Sequence, residues 1–395
     1  MTVPRRLFMG EQGALMKPVK IIHTADIHIG ASFEAFGVKG AEHRESVKDA
    51  FARIVRKAAD EGYDLMIIAG DLFDKAFGVP ERDISFVLGR MRELSGRCKA
   101  LILPGSHDFW APGSVYELNL DRFESVAGVS IVRPGRESIV YPELDLVVHG
   151  RALSGGKSSQ DPLDGLEPDH SCRWNIAVAH GSVVSAMKAA EDVDIPINIG
   201  EVDGGFDYIA LGHWHSFREI NRGNPPVVYC GSPELIARDQ KGSGYIVSLE
   251  FSEDGVSIAP ERIGRVSVEY VTVDASGIRT TEELVGAVKK QSEPDRLKVV
   301  EITFTGLLEF DAAVDFDAAA EELEEEYFSV VIAGALPHRR ITREELAELA
   351  KGTVVGKFAE LLLERIENAE EEERSLYEEA LQIGLQLFKG NNPLG

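Results

Sequence analysis

Five short clusters of aspartate and histidine, each placed directly after an apolar run, constrain this chain more than any other feature. Asp26-Ile27-His28 follows residues 19–25, Gly70-Asp71 follows 65–69, and Gly105-Ser106-His107-Asp108 follows 100–103. His180-Gly181 follows residues 175–179, and Gly212-His213-Trp214-His215 follows 208–211. The apolar runs are short and rich in β-branched residues, so they read as strands. Between the first two, Val47, Phe51, Ile54, Val55 and Ala58 recur at helical spacing, and residues 83–94 form a second helical pattern. Strands buried on both faces and separated by helices indicate an α/β sheet. Groups just past the carboxyl ends of such strands share one rim, so the five clusters are expected to meet there. Glycines beside four of them let the backbone turn sharply past each strand.

Further runs at 146–149, 227–230 and 245–251 follow with turns and few helices. The expected core is therefore a sandwich of mixed β-sheets flanked by helices. No stretch of about 18 apolar residues occurs, so no membrane-spanning helix is expected. The 42 basic and 66 acidic side chains give a net charge of −24, which argues against a free-standing, non-specific nucleic-acid coat. Residues 1–250 hold 27 basic and 35 acidic groups (−8) and the remainder 15 and 31 (−16), which places a compositional boundary near 260–270. The expected division is an N-terminal arm over 1–17 (with Met16 as an alternative start), a main domain over 18–265, a small α+β capping domain over 266–340, and amphipathic helices over 341–395. In the capping domain, strands over 266–273 and 298–304 flank a helix over 281–290, and the acidic run 321–326 reads as a solvated helix face. A capping box of Thr342 and Glu345 opens the last part, which carries the stripes Val355/Phe358/Leu362/Ile366 and Leu376/Ala380/Ile383/Leu387. Cys98, Cys172 and Cys230, odd in number and far apart, fit a reducing compartment, and the cytoplasm is the expected location.

The five clusters together suit two divalent ions. Mixed aspartate and histidine donors favour manganese, iron or zinc over magnesium, which prefers oxygen and water. An aspartate between two ions can bridge them, and a pair about 3.5–4 Å apart activates water for in-line attack on phosphorus. A lone D-x-H or H-x-H is weak evidence; five clusters in order, each after a strand, are specific.

The order D-x-H, G-D, G-x-H-D, H, G-H-x-H resembles that of the calcineurin-like metallophosphoesterases. The stretches HTADIHIG, IIAGDLFD, LPGSHD and ALGHWH look like the DNA-repair exonuclease branch, which includes SbcD and the YhaO type; the C-terminal part looks most like YhaO. The resemblance covers residues 18–265 and implies an α/β metallophosphoesterase fold. It implies that Asp26, His28 and His215 bind a first metal, that Asp71 bridges, and that His180, His213 and position 106 bind a second. His107 would serve near the leaving oxygen, with Asp108 accepting its other N–H and fixing the tautomer. Asp74 lies on the same rim, where orienting a ligand and capping a turn are equal alternatives. The family usually has asparagine where Ser106 stands, so second-site occupancy is in question here.

The resulting expectation is a metal-dependent DNA exo- or endonuclease subunit with two divalent ions, manganese first among them. The alternatives are a phosphatase or phosphodiesterase of small molecules and a catalytically weak DNA-complex scaffold. The family implies DNA and an SbcC-like SMC-family ATPase as partners, gripped through the C-terminal helices; folding back on the capping domain is the plainer role for those helices. A homodimer is also open, and no membrane contact is expected. Arg82, Arg90, Arg92, Arg97 and Lys99 form a locally basic stretch that a solvated helix explains equally well. His23 and His149 read as packed histidines, Trp214 as a packing residue and Gly231-Ser232-Pro233-Glu234 as structural. Gly155-Gly156-Lys157-Ser158 lacks the spacing of a phosphate loop.

Overall fold

The computed structural model describes residues 17–184, 194–202, 204–221, 223, 225–237, 240–309, 311–340, 346 and 352–390. The expected capping box at Thr342 and Glu345, and nearly all of the N-terminal arm, lie outside these residues. The chain divides into two compact units, Met1–Arg265 and Val266–Gly395.

The first unit begins with β1 (Val19–Thr24), α1 (Gly40–Asp60), β2 (Leu65–Ala69), α2 (Glu81–Glu93), β3 (Lys99–Leu103), α3 (Val115–Leu118), α4 (Leu120–Glu124) and β4 (Val129–Ile131). There follow β5 (Ser138–Tyr141), β6 (Leu146–Gly150), β7 (Trp174–His180), the two-residue β8 (Ser182–Val183) and β9 (Pro196–Ile197), and β10 (Tyr208–Gly212). It closes with β11 (Arg218–Asn221), β12 (Val227–Tyr229), β13 (Tyr245–Ser252) and β14 (Gly255–Arg262). One sheet has the order β14-β13-β1-β2-β3-β4, parallel from β1 to β4 and antiparallel at β13 and β14. The other runs β11-β12-β10-β7-β6-β5, parallel from β12 to β6 with antiparallel edges.

Alternation along each strand decides what lies between the sheets. Ile21, Ile67, Leu101 and Leu249 of the first sheet pack against Val148, Ile176, Val178 and Ala210 of the second, all fully or nearly fully buried. His23 shares this interior, and its Nδ1 lies 3.0 Å from the Tyr208 hydroxyl of the opposite sheet, as expected of a packed histidine. The helices α1 and α2 bury Val47, Phe51, Ile54, Ile84, Val87 and Met91. The second sheet's outer apolar cluster takes in Leu163, Ile197 and Phe206, from the connections around β8 and β9.

The second unit contains β15 (Ser267–Asp274), α5 (Thr281–Gln291), β16 (Lys298–Thr305), α6 (Phe316–Glu324) and β17 (Ser329–Ile332). Its three strands are all parallel in sequential order, so the unit is a βαβαβ layer and the expected α+β arrangement is corrected. Periodicity reports which residues are buried but not strand direction; crossover helices impose the parallel choice. The helices α7 (Val354–Asn368) and α8 (Glu371–Phe388) pack together through Phe358, Ala359, Leu362, Leu381 and Leu385. The Gln386 amide donates to the Arg339 carbonyl at 2.6 Å, and Arg340 pairs with Glu379 at 2.9 Å, so α8 is also tied to the chain that precedes the pair.

Candidate metal centre

Parallel strands deliver their last residues to one edge. There β1 leads to Asp26 and His28, β2 to Asp71, β3 to Ser106–Asp108, β7 to His180, and β10 to His213 and His215. Backbone bonds stitch the edge together: Asp26 N–H donates to Gly70 O at 3.0 Å, and Ile27 and His28 N–H both donate to Asp71 O. Asp26, His28 and Asp71 each have φ of 53°, and His213 has φ of 98°. Non-glycine residues in this region cost on the order of 1–3 kcal/mol each and persist where surrounding structure imposes them. Four of the seven expected metal-binding positions carry this strain.

The donor atoms converge. Asp26, His28 and His215 form one group, Asp26, Asp71 and His180 a second, and His28, Asp71 and His107 a third, with the donor atoms of each group within 4.8 Å of one another. His28 Nε2 lies 3.3 Å from His215 Nε2 and 3.8 Å from Asp71 Oδ2. His180 Nε2 lies 3.1 Å from Asp71 Oδ2, and Ser106 Oγ donates to that oxygen at 3.1 Å. With bonds of about 2.1 Å, neighbouring ligands of one cation sit about 3 Å apart, the spacing these atoms have. Among the described residues, no lysine or arginine pairs with Asp26 or Asp71. The buried carboxylates and imidazole nitrogens therefore fit divalent cations.

The tautomers suit the same purpose. His180 Nδ1–H donates to Ala69 O at 2.9 Å and His28 Nδ1–H to the Asp74 carboxylate at 3.2 Å, which turns both Nε2 atoms inward. The Gln240 side-chain amide stands 2.5 Å from His215 Nδ1. His213 belongs to none of the three groups; its N–H donates to both Asp26 oxygens at 3.0 Å, and its ring stands 5.1 Å from that of His180.

The glycines serve the expected sharp turn in one case and close approach in the others. Of Gly70, Gly105, Gly181 and Gly212, only Gly70 has positive φ, at 99°; Gly105, Gly181 and Gly212 are required by close approach. A Cβ on Gly70 would stand 2.1 Å from His180 Nδ1, on Gly105 2.3 Å from Asp71 Oδ1, and on Gly212 2.0 Å from Ala69 O. The His180 ring, the Asp71 carboxylate and the neighbouring strand pack directly on bare backbone.

A family model described as calcineurin-like phosphoesterase matches residues 19–217, a span that contains every one of these groups. The chain belongs to that family. It is 28% identical over 308 residues to the DNA double-strand break repair protein Mre11 of Haloferax volcanii, across 76% of this chain and 65% of that protein. It thus spans a little under two thirds of that relative's length. The Halobacterium salinarum protein of the same name is 28% identical over 293 residues, across 73% of this chain and 71% of that one. The uncharacterized metallophosphoesterase YhaO of Bacillus subtilis is 24% identical over 313 residues, across 72% of each. As a calcineurin-like phosphoesterase the chain is a hydrolase, of a family that uses divalent metals.

The electrostatics of this phosphoesterase centre follow from burial. Burial pushes Asp26 up to about 6, with His180 opposing. Burial also works against ionised Asp71, but His180 and His28 outweigh it and hold the carboxyl well below the usual range. His180 is raised to about 9: burial lowers it, and Asp71 more than reverses this. Burial, reinforced by neighbouring histidines, lowers His213 to about 4 and His215 to about 3, so both stay neutral with lone pairs to offer.

Two expectations are corrected. Asp108 does not accept from His107. Its oxygens take the N–H groups of Gly105 (2.7 Å), Asp71 (3.2 Å) and Phe73 (3.0 Å) and the Tyr116 hydroxyl (2.6 Å), so it braces two of the loops. The His107 Nδ1–H goes instead to the Asp74 carbonyl at 3.0 Å, and Asp74 thereby orients two histidines, one through its carboxylate and one through its backbone. Trp214, expected to pack, is instead 50% exposed. Sequence reasoning missed Gln240 and Tyr116, which stand in no motif. His149 is packed, with Ser138 and Asn175 as its partners.

Proposed function

We propose that this phosphoesterase is a DNA exo- or endonuclease subunit. Asp26, His28 and His215 would hold one divalent ion and His180, His213 and Ser106 a second, with Asp71 between them; manganese is the first choice, with iron or zinc as alternatives. The single observation that carries the reading is the convergence of Asp26, His28, Asp71, Ser106, His180 and His215 on one rim beside the exposed His107. The names of the Mre11 relatives supply the direction toward DNA.

Bound divalent ions would supply Lewis acidity, which acidifies water and offsets charge on phosphate oxygens. The chain's own residues do the rest. His107 Nδ1–H is held by Asp74, so Nε2 is the nitrogen that exchanges a proton with the leaving oxygen. The ring stands edge-on to His28 with centroids 4.7 Å apart, which keeps it at the centre. Asp71 Oδ1 accepts the His107 N–H at 2.8 Å, so the loop after β3 that carries the proton carrier is fastened to the carboxylate that would bridge. Val354, Leu361, Leu376 and Phe388 leave apolar surface exposed on α7 and α8, which supports docking of an SbcC-like SMC-family ATPase there. Such a partner would supply the basic DNA surface that an acidic chain lacks. No described helix is long and apolar enough to cross a membrane.

The test is cleavage of end-labelled duplex DNA with and without Mn2+, beside a panel of mononucleotides and bis-p-nitrophenyl phosphate. Metal-dependent DNA cleavage is expected; turnover confined to the mononucleotides would transfer the centre to small-molecule chemistry.

A further inference from the structure

Two aromatic rings beside the centre take no part in the chemistry above. Phe77 follows Asp74 by three residues and Phe109 follows His107 by two. The Asp74 carbonyl holds His107, and the Ala76 carbonyl accepts the Val115 N–H at 2.7 Å, so the loop after β2 is fastened to the loop after β3. This brings the rings of Phe77 and Phe109 edge to face, with centroids 5.5 Å apart and planes at 77°. Phe77 is nevertheless 49% exposed and Phe109 partly buried. One ring props the other, and an aromatic surface stays open to solvent. Two residues of chain span at most about 7 Å, so the Phe109 backbone lies within that reach of the His107 backbone, and Phe77 rests against the Phe109 ring.

We propose that Phe77 and Phe109 form a stacking platform for an unpaired nucleobase adjoining the scissile phosphodiester, which directs the enzyme to single-stranded or frayed ends. The proposal rests on the reading of the centre as one that cleaves nucleic acid. Every base offers a π-face, so stacking on an aromatic ring tolerates any sequence. In a duplex those faces are covered by neighbouring bases, which is why the platform selects unpaired ones. Stacking also requires no cation, and so suits a chain with a net charge of −24.

The experiment compares the full-length protein with Phe77→Ala/Phe109→Ala and Phe77→Tyr/Phe109→Tyr in Mn2+. The substrates are bis-p-nitrophenyl phosphate, the p-nitrophenyl ester of thymidine 5′-monophosphate, and a labelled single-stranded oligonucleotide. KM for the two base-bearing substrates is expected to rise about 10-fold or more in the alanine variant. Its kinetics on bis-p-nitrophenyl phosphate should not change, and the tyrosine variant should recover. An equal loss on all three substrates, or none, overturns the proposal. If the wild type hydrolyses the thymidine ester but not the oligonucleotide, the nuclease reading fails, and the ester ratio still decides the platform. Anisotropy of the oligonucleotide against an abasic copy reads the same preference without turnover: its loss in the alanine variant supports the platform, and its persistence overturns it.

Discussion

Gly212→Ala tests whether the centre depends on close backbone packing. The added methyl would stand 2.0 Å from the Ala69 carbonyl oxygen, 2.8 Å from Ala25 Cβ and 2.9 Å from His180 Nδ1. An ordinary carbon–oxygen contact needs more than 3 Å, so the end of β10 or β2 must move by over 1 Å. Overpacking of this kind costs about 1–3 kcal/mol. The displaced carbonyl is also the acceptor that orients His180, and weakening that bond adds about 1 kcal/mol. A total near 2–4 kcal/mol should appear as a lower urea midpoint at unchanged slope. A ligand misplaced by about 1 Å should lower turnover about 100-fold, measured on bis-p-nitrophenyl phosphate beside Mn2+ titration calorimetry. Gly89→Ala is the control, because its Cβ meets nothing within 4 Å in the middle of α2; it should stabilise by about 0.5–1 kcal/mol. The reasoning is refuted if Gly212→Ala binds Mn2+ and turns over like the wild type and unfolds with the control.

Ser106→Asn should tighten a second Mn2+ about 10-fold, because an amide oxygen reaches farther than the hydroxyl now bonded to Asp71; identical calorimetric titrations would remove position 106 from the ligand set. Asp108→Asn should destabilise by about 2–4 kcal/mol, since an amide turns donors toward N–H and O–H groups that need acceptors; a loss below about 1 kcal/mol in urea unfolding would contradict the bracing role. Glu261 accepts from Lys57 at 2.7 Å and from the Ser248 hydroxyl. Burial raises its carboxyl, but these bonds outweigh it and hold the group below its usual range. A depressed folded-state pKa contributes stability above the unfolded value and loses it as pH falls through the folded one. Glu261→Gln should therefore flatten the acid side of the stability curve below about pH 4.3, and an unchanged slope of urea midpoint against pH would refute the assignment.

All eight apolar runs read as strands in the first unit are strands, and the histidine and aspartate clusters stand at their carboxyl ends. These features are local: a run of β-branched residues limits its own backbone, and strand polarity then carries whatever follows it to one edge. The strands that escaped reading are edges or nearly so. β14 alternates its partly buried residues with Ser257, Pro260 and other exposed groups, and β4 is only three residues long. Parallel pairing in the second unit was equally hidden, because burial patterns do not record direction. The sequence by itself therefore determined which side chains could hold metal and which edge would collect them. Tertiary structure alone decided which acceptor each histidine found, that Asp108 braces loops while Asp74 orients His107, and that Gly105 and Gly212 leave room for Asp71 and Ala69. Such choices depend on atoms brought to about 3 Å from positions that lie some tens of residues apart for Asp74 and His107 and more than a hundred for Ala69 and His180, and no local pattern in a chain encodes that distance.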